Sequence, residues 1–492
     1  MNSQNQNRKS GKEISRRSFM GKTAATAAAF TIVPSHVLGG RRRGQVAPSD
    51  KLNIACVGVG GKGSSDIAAV ARENVVALCD ADDTKMADFL TSAQRRAIGG
   101  ARRGRVEQQQ QQERPQREEP DLVALFEKAN KYRDFRVMLD KEKSIDAVVV
   151  SIPDHSHAVV AMMAIKMGKH VFVQKPMTYS VYEARMLAKA AKEYNVTTQM
   201  GNQGHASEGA RLINEWIWDG AIGYVREVHT FTNRPIWPQN IGRPEDTPPV
   251  PETLDWDQWL GPAPYRPYHP AYCPFNWRGW LDFGTGVIGD MGAHILDHPF
   301  WALKLDAPAT IQASSSKMSS REAERETYPL ASMITWTFPA RGNMSPVKLT
   351  WFDGGIMPPR PEELEPGRRM GSGDGGGIFI GDKGMLMYSC YGSNPRLIPE
   401  TKMQEYTLPE KTIPRSPGIA LEWIEACKAG TKSTTDFSYS SRLTETMLLG
   451  NVALRTQRSN TILEWDTEKM EFTNLPEANE FLHREYREGW TL

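Results

Sequence analysis

The stretch Leu52-Asn-Ile-Ala-Cys-Val-Gly-Val-Gly-Gly-Lys-Gly63 decides the fold of this chain. Its apolar run, Leu52 to Val57, predicts a buried strand, and the spaced glycines after it predict a tight turn that opens a helix. In such a turn Gly58 permits the change of direction, Gly60 lets a bound group approach the backbone, and Gly63 lets the helix pack closely on the strand. This strand–turn–helix unit predicts the start of a parallel α/β sheet.

An acidic residue ends the next predicted strand. Val75 to Cys79 forms that strand, and Asp80 follows 17 residues after Gly63. A carboxylate there hydrogen-bonds the ribose hydroxyls of a dinucleotide and repels a 2′-phosphate, so the pattern favours NAD over NADP. The other side chains of the turn, Val59 and Lys62, then belong to the predicted cofactor site. An ordinary strand–helix turn without a ligand is the alternative.

Strands and helices alternate from residue 50 to residue 200. Further strands are predicted at 145–150, 170–173 and 197–200, with helices between them. The alternation predicts a doubly wound parallel sheet, a Rossmann domain over residues 50–200. Residues 95–120 break the pattern with arginine pairs, five consecutive glutamines and Glu/Pro. They are expected to form a flexible, solvated insertion.

The second part of the chain has a different character. Strand-like segments at 225–232, 331–338, 347–352, 377–380 and 385–388 are separated by turns and irregular stretches, and Gly381-Asp-Lys-Gly384 predicts a hairpin. Residues 201–492 are therefore expected to form an α+β domain with a mostly antiparallel, open-faced sheet. The predicted fold class is α/β, with the Rossmann domain first.

The N-terminus predicts export. Arg16 and Arg17 precede a short apolar stretch, Thr23 to Val33, which is the pattern of a twin-arginine signal that carries folded proteins to the periplasm. Residues 1–47 form this signal and a linker, and Gly40 and Ala47 are both possible ends of the cleaved part. Outside the cytoplasm there is no pool of free dinucleotide, so a tightly bound NAD is expected.

Composition excludes several classes of function. The formal charge of +2 becomes −6 without residues 1–47, which carry nine lysines or arginines and one glutamate. A mildly acidic protein gives no indication of nucleic-acid binding. No run of 18 apolar residues predicts a stable membrane span. The five cysteines include no CxxC pair, so no structural zinc site is expected.

Polar residues follow three strands of the predicted parallel sheet. Their positions at carboxyl strand ends place them in the ligand crevice of such a fold. Lys175 is the candidate for chemistry, because an amine beside the nicotinamide can polarise a substrate oxygen. A plain surface turn at Lys175-Pro176 is the alternative for that residue. The remaining candidates for cofactor or substrate contact are Ser151, Pro153, His157, Gln174, Asn202 and His205.

A glycine-rich stretch, Gly284 to His294, carries an acid and an imidazole. Asp290 and His294 are separated by four residues and so share one helical face. A carboxylate beside an imidazole is a general-base unit. There are two alternatives. One is a zinc site that also includes Asp297 and His298, and the other is a polar helix start without a chemical role. We expect no metal.

An aromatic segment precedes this stretch, at residues 256–280. Its rings suit the C–H faces of sugars, and Trp277 is the candidate substrate contact. Packing of an irregular loop onto the core is the alternative explanation.

In this order, these motifs resemble the glucose-fructose oxidoreductase, inositol dehydrogenase and rhizopine-catabolism (Gfo/Idh/MocA) family. Gln174-Lys175-Pro176 matches the family's Glu-Lys-Pro, and the stretch ending in Asp290 and His294 matches its Asp-x-x-x-His. The resemblance covers roughly residues 50–460. It implies a homo-oligomer, a dimer or tetramer, in which Lys175 polarises the substrate hydroxyl, His294 is the general acid/base, and Asp290 orients it or touches substrate. Gln174 departs from the family's glutamate.

Three hypotheses follow. The first is hydride transfer between bound NAD and a secondary hydroxyl of a sugar or glycoside. The second is a redox-neutral, NAD-dependent glycoside hydrolase that works by transient oxidation and elimination. The third is a non-catalytic sugar-binding protein that keeps NAD structurally.

Overall fold

The computed structural model describes residues 50–107, 120–456 and 458–492. The predicted signal, with Arg16 and Arg17, lies outside the described residues, as does the 108–119 part of the predicted insertion. Two β-sheets organise the described chain from Leu52 onward. The first contains strands from the N-terminal part, and the second contains strands from residue 225 onward.

The first sheet has six strands in the order β3-β2-β1-β4-β5-β6, and every neighbouring pair is parallel. This is the Rossmann order, in which the chain reverses direction across the sheet between β1 and β4. The predicted doubly wound sheet is confirmed. The strands are β1 (Asn53–Val57), β2 (Asn74–Cys79), β3 (Asn130–Tyr132), β4 (Ala147–Val150), β5 (His170–Val173) and β6 (Thr198–Met200).

Helices connect these strands. The central strands are almost wholly buried, which matches their Val- and Ala-rich sequences. Helix α6 begins at a capping box in which Ser180 and Glu183 satisfy each other's backbone N–H. The helices are α1 (Lys62–Val70), α2 (Asp83–Glu107), α3 (Leu122–Lys128), α4 (Phe135–Lys141), α5 (Asp154–Lys166) and α6 (Val181–Glu193).

Two local expectations need correction. The flexible insertion was expected to begin at residue 95, but helix α2 continues to Glu107. The alanines and arginines of this stretch favour helix despite Gly99 and Gly100. The predicted strands do not include Asn130–Tyr132, yet these polar residues form edge strand β3 directly after α3. Pairing with β2 defines that strand, and its three residues carry no periodicity of their own.

The second sheet has nine strands in the order β13-β12-β11-β7-β10-β9-β8-β14-β15. Among the described strands only the pair β7–β10 is parallel in this sheet, so the predicted mostly antiparallel character is confirmed. The strands are β7 (Val225–Phe231), β8 (Thr310–Ser315), β9 (Ser332–Phe338), β10 (Val347–Phe352), β11 (Gly376–Gly381), β12 (Gly384–Ser389), β13 (Arg396–Ile398), β14 (Ile462–Asp466) and β15 (Glu471–Phe472). Gly381 pairs with Gly384, which confirms the predicted hairpin.

Eight helices in the described chain accompany this sheet. They are α7 (Glu208–Trp218), α8 (Trp256–Leu260), α9 (Gly286–Ile295), α10 (Asp297–Ala302), α11 (Arg321–Glu326), α12 (Glu400–Glu405), α13 (Ile419–Ala429) and α14 (Phe437–Arg455). Helix α14 packs on α6 of the first part and on α9 and β8 of the second. No described helix has the length and apolar character needed to cross a membrane.

A buried ion pair fastens α14 to α6. Arg185 donates to both carboxylate oxygens of Glu445, at 2.7 and 2.6 Å, and Trp465 donates to the same carboxylate. The Glu445 side chain is only 1% exposed. Because the three donors replace the water that this carboxylate loses, the pair is stable only while all partners stay in place.

We predict that Glu445→Ala lowers the free energy of unfolding by about 3 kcal/mol, since it leaves the Arg185 guanidinium in a largely buried position without its counter-ion. Glu477→Ala is the matched control, because Glu477 and its partner Arg458 are 52% and 59% exposed. That control costs less than about 1 kcal/mol. Urea unfolding of both variants measures the difference, and equal losses would contradict the prediction.

Candidate active site

A cavity of about 400 Å³ lies at the carboxyl ends of the parallel strands. One end is lined by the glycine turn after β1 and by Asp80 after β2. The other end is lined by Lys175, which follows β5, and by Asp290 of α9. This is the crevice in which doubly wound folds bind ligands.

The turn after β1 has a close-packed backbone geometry that requires glycine at two positions. Gly58 has a φ of +89°, and a Cβ there would lie 2.2 Å from the Ser151 carbonyl oxygen. A Cβ on Gly63 would lie 2.1 Å from the Gly58 carbonyl oxygen, so only glycine lets α1 approach the turn. Gly60 lines the cavity itself. The turn predicted at Gly58 and the close helix packing predicted at Gly63 are both present.

Asp80 faces the same end of the cavity. Its carboxylate accepts hydrogen bonds from the backbone N–H groups of Val59 (2.8 Å) and Asp82 (3.1 Å). Burial raises the pKa of Asp80, and these N–H groups oppose the rise. The carboxylate is therefore fixed beside the glycine turn, where the ribose hydroxyls of a dinucleotide would need an acceptor.

At the other end, Asp290 is held between two cations. Lys175 Nζ donates to the carbonyl oxygen of Asp290 at 2.6 Å and to its Oδ1 at 2.9 Å. Arg278 Nε donates to the same Oδ1 at 3.2 Å. Burial alone would raise the pKa of Asp290, but Lys175 and Arg278 outweigh it and hold the pKa below its usual range. Asp290 is thus an ionised carboxylate that fixes the Lys175 amine.

His294 lies one helical turn beyond Asp290 on α9. The imidazole is buried, its ring centre is 4.7 Å from that of Tyr391, and its Nδ1 has no hydrogen-bond partner among the described residues. Burial and then the positive charge of Lys175 lower the pKa of His294 well below its ordinary value. His294 is therefore neutral near pH 7 and able to accept a proton.

The remaining predicted residues divide into two groups. Ser151, Pro153, Gln174, Lys62 and Trp277 line the cavity. His157, Asn202 and His205 are buried and do not line it, and the same holds for Val59 and for His294.

The three buried residues differ in their surroundings. Each ring nitrogen of His157 lies 2.8 Å from a backbone carbonyl oxygen, of Pro176 or Ile152, so this ring serves the local packing. His205 pairs with Asp297 and stacks on a tryptophan. The amide of Asn202 has no hydrogen-bond partner within the part of the chain that the structure describes.

The residues of the alternative zinc site do not converge. Asp297 accepts from His205 and from the Tyr439 hydroxyl, while His298 packs with its ring over Gly392. Within residues 50–107, 120–456 and 458–492, no group of three or more metal-ligating side chains is arranged around a common point.

The rings of the aromatic segment pack on one another, and three of them line the cavity. Trp256 stacks on Trp259 at 4.8 Å, and Tyr272 packs on Trp280 and on Phe283, so these rings hold the irregular segment together. Trp259, Phe275 and Trp277 also line the cavity.

Several residues of this site were missed from the sequence. Arg278 has its guanidinium 4.3 Å from the Trp277 ring centre, and only its place in the aromatic segment marked it. Asp154 accepts from Thr285 and lines the cavity. Tyr391 adopts a φ of 63°, which is uncommon for an aromatic residue. Trp490 comes from the C-terminal segment and lines the cavity without any local motif.

Family models match both parts of this chain. Residues 52–202 match the family model described as the oxidoreductase family, NAD-binding Rossmann fold, and residues 224–325 match that family's C-terminal α/β domain. The chain belongs to the Gfo/Idh/MocA oxidoreductase family. The resemblance predicted from the motifs is confirmed.

Curated relatives of this Gfo/Idh/MocA protein include sugar enzymes. Levoglucosan dehydrogenase of Pseudarthrobacter phenanthrenivorans is 24% identical over 36% of this chain and 39% of its own. The 1,5-anhydro-D-fructose reductase of Ensifer adhaerens is 26% identical over 37% of this chain and 44% of its own. The 2,7-anhydro-N-acetylneuraminate hydratase of Escherichia coli is 33% identical over 19% of this chain and 26% of its own. The matched segments thus span less than half of each relative.

Solved structures share the fold over nearly their whole length. WlbA dehydrogenase from Bordetella pertussis, in complex with NADH and UDP-GlcNAcA, has a TM-score of 0.52 at 16% identity and covers 85% of this chain and 99% of its own. Levoglucosan dehydrogenase with NADH and levoglucosan has a TM-score of 0.51 at 15% identity and covers 84% of this chain and 99% of its own. At such identities the likeness concerns the fold.

Asp80 should set the choice between NAD and NADP. We predict that Asp80→Ser shifts the ratio of the NADP and NAD dissociation constants by about tenfold toward NADP, because a shorter, neutral hydroxyl replaces the carboxylate acceptor and removes the repulsive charge. Asp140→Ser removes a charge from an 80% exposed side chain and serves as the control. Fluorescence titration of NADH and NADPH measures the ratio, and an unchanged ratio in Asp80→Ser would contradict the role.

Proposed function

We propose that this protein is an NAD-dependent oxidoreductase acting on a secondary hydroxyl of a sugar or glycoside. The observation that carries the proposal is the Lys175 amine, fixed by Asp290 at the end of a cavity that begins at the dinucleotide-binding turn. Bound NAD would supply the hydride chemistry. The residues present fit this cofactor, since a backbone cradle, an acidic acceptor and the unpaired amide oxygen of Gln174 belong to residues that line one cavity.

Lys175 has one donor left for a substrate. An ammonium group carries three N–H donors, and two of them point to the carbonyl and carboxylate oxygens of Asp290. The third is available to a substrate oxygen at the cavity end. A positive donor at that place stabilises the negative charge that develops on the oxygen as its proton leaves.

His294 takes that proton. Its imidazole is neutral because burial and Lys175 disfavour the protonated form, and the ionised Asp290 on the same helical face stabilises the ring once it is protonated. The substrate hydroxyl thus loses its proton to His294, and its carbon becomes a ketone carbon by giving up a hydride that bound NAD would accept. The reverse reaction returns the same proton from His294.

The relatives support a carbohydrate substrate. The curated matches include a levoglucosan dehydrogenase, an anhydrofructose reductase and a scyllo-inositol dehydrogenase, all named for polyhydroxylated rings. The aromatic rings of Trp259, Phe275 and Trp277 along the cavity suit the C–H faces of such rings. A homo-oligomer, as in the family resemblance, belongs to the same proposal.

Export and cofactor retention complete the proposal. The Arg16-Arg17 motif supports export of the folded protein. Two segments cover the cavity. Residues 253–255 pair with the loop after β2, because Asp83 N–H donates to the Thr253 carbonyl (3.0 Å) and Asp255 N–H donates to the Ala81 carbonyl (2.8 Å). The C-terminal segment contributes Trp490, which lines the cavity. Such a cover slows the loss of a cofactor that cannot be replaced outside the cytoplasm.

The test of this function uses the purified protein with no NAD added. Incubation with a panel of free sugars and glycosides, followed by NMR, should yield a ketosugar whose formation continues only when a carbonyl acceptor is supplied. Lys175→Ala and His294→Ala should abolish the product without removing nucleotide from the protein. Release of aglycone with the sugar unoxidised would overturn the proposal in favour of redox-neutral hydrolysis, and unchanged sugars with nucleotide bound would favour a binding protein.

We predict that sugar oxidation stays active below the ordinary histidine range. His294 must be unprotonated to accept a proton, and its lowered pKa keeps it so as pH falls through 6.5. The acid limb of kcat/KM should therefore lie under about pH 6. His483→Ala, which removes an exposed histidine, is the control and should leave the profile unchanged. An acid limb at or above pH 6.5 would contradict a neutral, buried base.

Trp490 should slow the release of NAD. Its ring packs on Phe135, with centres 6.0 Å apart, and under the Arg136 guanidinium at 4.5 Å. We predict that Trp490→Ala speeds NADH dissociation about tenfold, or about 1.4 kcal/mol. Tyr265→Ala, at a ring that is 71% exposed, is the control. Stopped-flow displacement of bound NADH gives both rates, and equal rates in the wild type and Trp490→Ala would rule out the covering role.

A further inference from the structure

Asp66 is a buried carboxylate that no motif singles out. It lies in α1, one turn beyond the glycine loop, and is 5% exposed. Its Oδ1 accepts from Lys62 Nζ at 2.5 Å, and its Oδ2 accepts from Ser151 Oγ and Gln174 Nε2, each at 2.8 Å. Three cavity-lining residues, from three different elements, thus converge on one carboxylate.

This contact fixes the orientation of the Gln174 amide. The Asp66 carboxylate oxygen is the acceptor and the NH₂ group of Gln174 is the donor, so the NH₂ group faces Asp66. Its carbonyl oxygen, Oε1, then points away from Asp66. Oε1 is buried and has no hydrogen-bond partner among the described residues, although Gln174 lines the cavity directly before Lys175. A buried acceptor without a donor is rare in native structures unless a ligand supplies one.

We propose that Asp66 is a positioning residue that holds Gln174 Oε1 as an acceptor for an N–H or O–H donor of the nicotinamide half of NAD. Gln174 lies beside Lys175, at the end of the cavity opposite Asp80, and this is why we assign its partner to the nicotinamide half of the dinucleotide. The inference rests on the proposed function only in placing NAD in this cavity, and it requires no particular sugar.

The same geometry explains why residue 174 is an amide. A glutamate there would bring a second carboxylate to the 2.8 Å position now held by Nε2, against the carboxylate of Asp66. Two such groups repel each other or trap a proton between them. Asp66 and Gln174 therefore form a coupled pair, in which one carboxylate and one amide are required together.

The test is a double-mutant cycle on NAD binding, measured by titration calorimetry on protein stripped of nucleotide, with no sugar present. Gln174→Glu alone should weaken NADH binding about tenfold, because repulsion by Asp66 displaces the acceptor. Asp66→Asn alone should weaken it to a similar degree, because an amide at position 66 no longer dictates the orientation of Gln174. The combined variant should return to within about threefold of the wild type, since the amide introduced at position 66 can donate to the carboxylate introduced at position 174.

Two measurements keep the result interpretable. Thermal unfolding of the nucleotide-free variants shows whether each one folds, and Gln203→Glu, at an exposed glutamine nearby, is the matched control and should bind NADH as the wild type does. Additive losses in the combined variant, or wild-type binding by Gln174→Glu, would overturn the positioning role while leaving the proposed function intact. Failure of the wild type to bind NADH would overturn both.

Discussion

The carboxylate of Asp290, shared by Lys175 and Arg278, is the interaction on which the site depends. Lys175 follows a strand of the parallel sheet, Asp290 lies on a helix of the second part of the chain, and Arg278 lies in the aromatic segment. The contact therefore joins the dinucleotide-binding sheet to the residues that would hold a substrate. It also fixes the amine and leaves one of its protons for a bound oxygen.

This arrangement leaves Asp290 ionised and its neighbour His294 neutral. Burial acts on both Asp290 and His294, and in each case it favours the neutral form. Two cations reverse that effect at Asp290, whereas Lys175 adds to it at His294. Asp290 is therefore an ionised carboxylate and His294 a neutral imidazole. The Asp290 carboxylate is hydrogen-bonded to Lys175 and Arg278, and His294 Nδ1 has no hydrogen-bond partner among the described residues. Fixed charges in a site that excludes water act more strongly than they would in solution.

The parallel sheet could be predicted from the sequence because its signals are local. The glycine turn, the buried apolar runs and the residues at strand ends each lie within a few positions of one another. Strand β3 could not be predicted, since its three polar residues are strand only by pairing with β2. The polar residues at the strand ends were found by position, yet His157 and His205 turned out to contact protein partners in the interior.

Two of the residues that were missed reach the site from distant parts of the chain. Trp490 reaches the cavity from the C-terminal segment, and Arg278 meets Asp290 only after the aromatic segment has packed. Asp66 was close to a recognised motif, but a carboxylate in the first turns of a helix ordinarily needs no explanation. The convergence of its three donors became visible only when α1 and the turns after β4 and β5 were placed together.

The most direct measurement is a crystal structure of the protein with NADH bound. Our account predicts a single dinucleotide in the cavity, with its adenosine ribose at Asp80, its pyrophosphate on the glycine turn and its nicotinamide between Gln174 and Lys175. A nicotinamide far from Lys175, or an adenine in its place beside Asp290, would contradict the assignment of the cavity end as the site of hydride transfer.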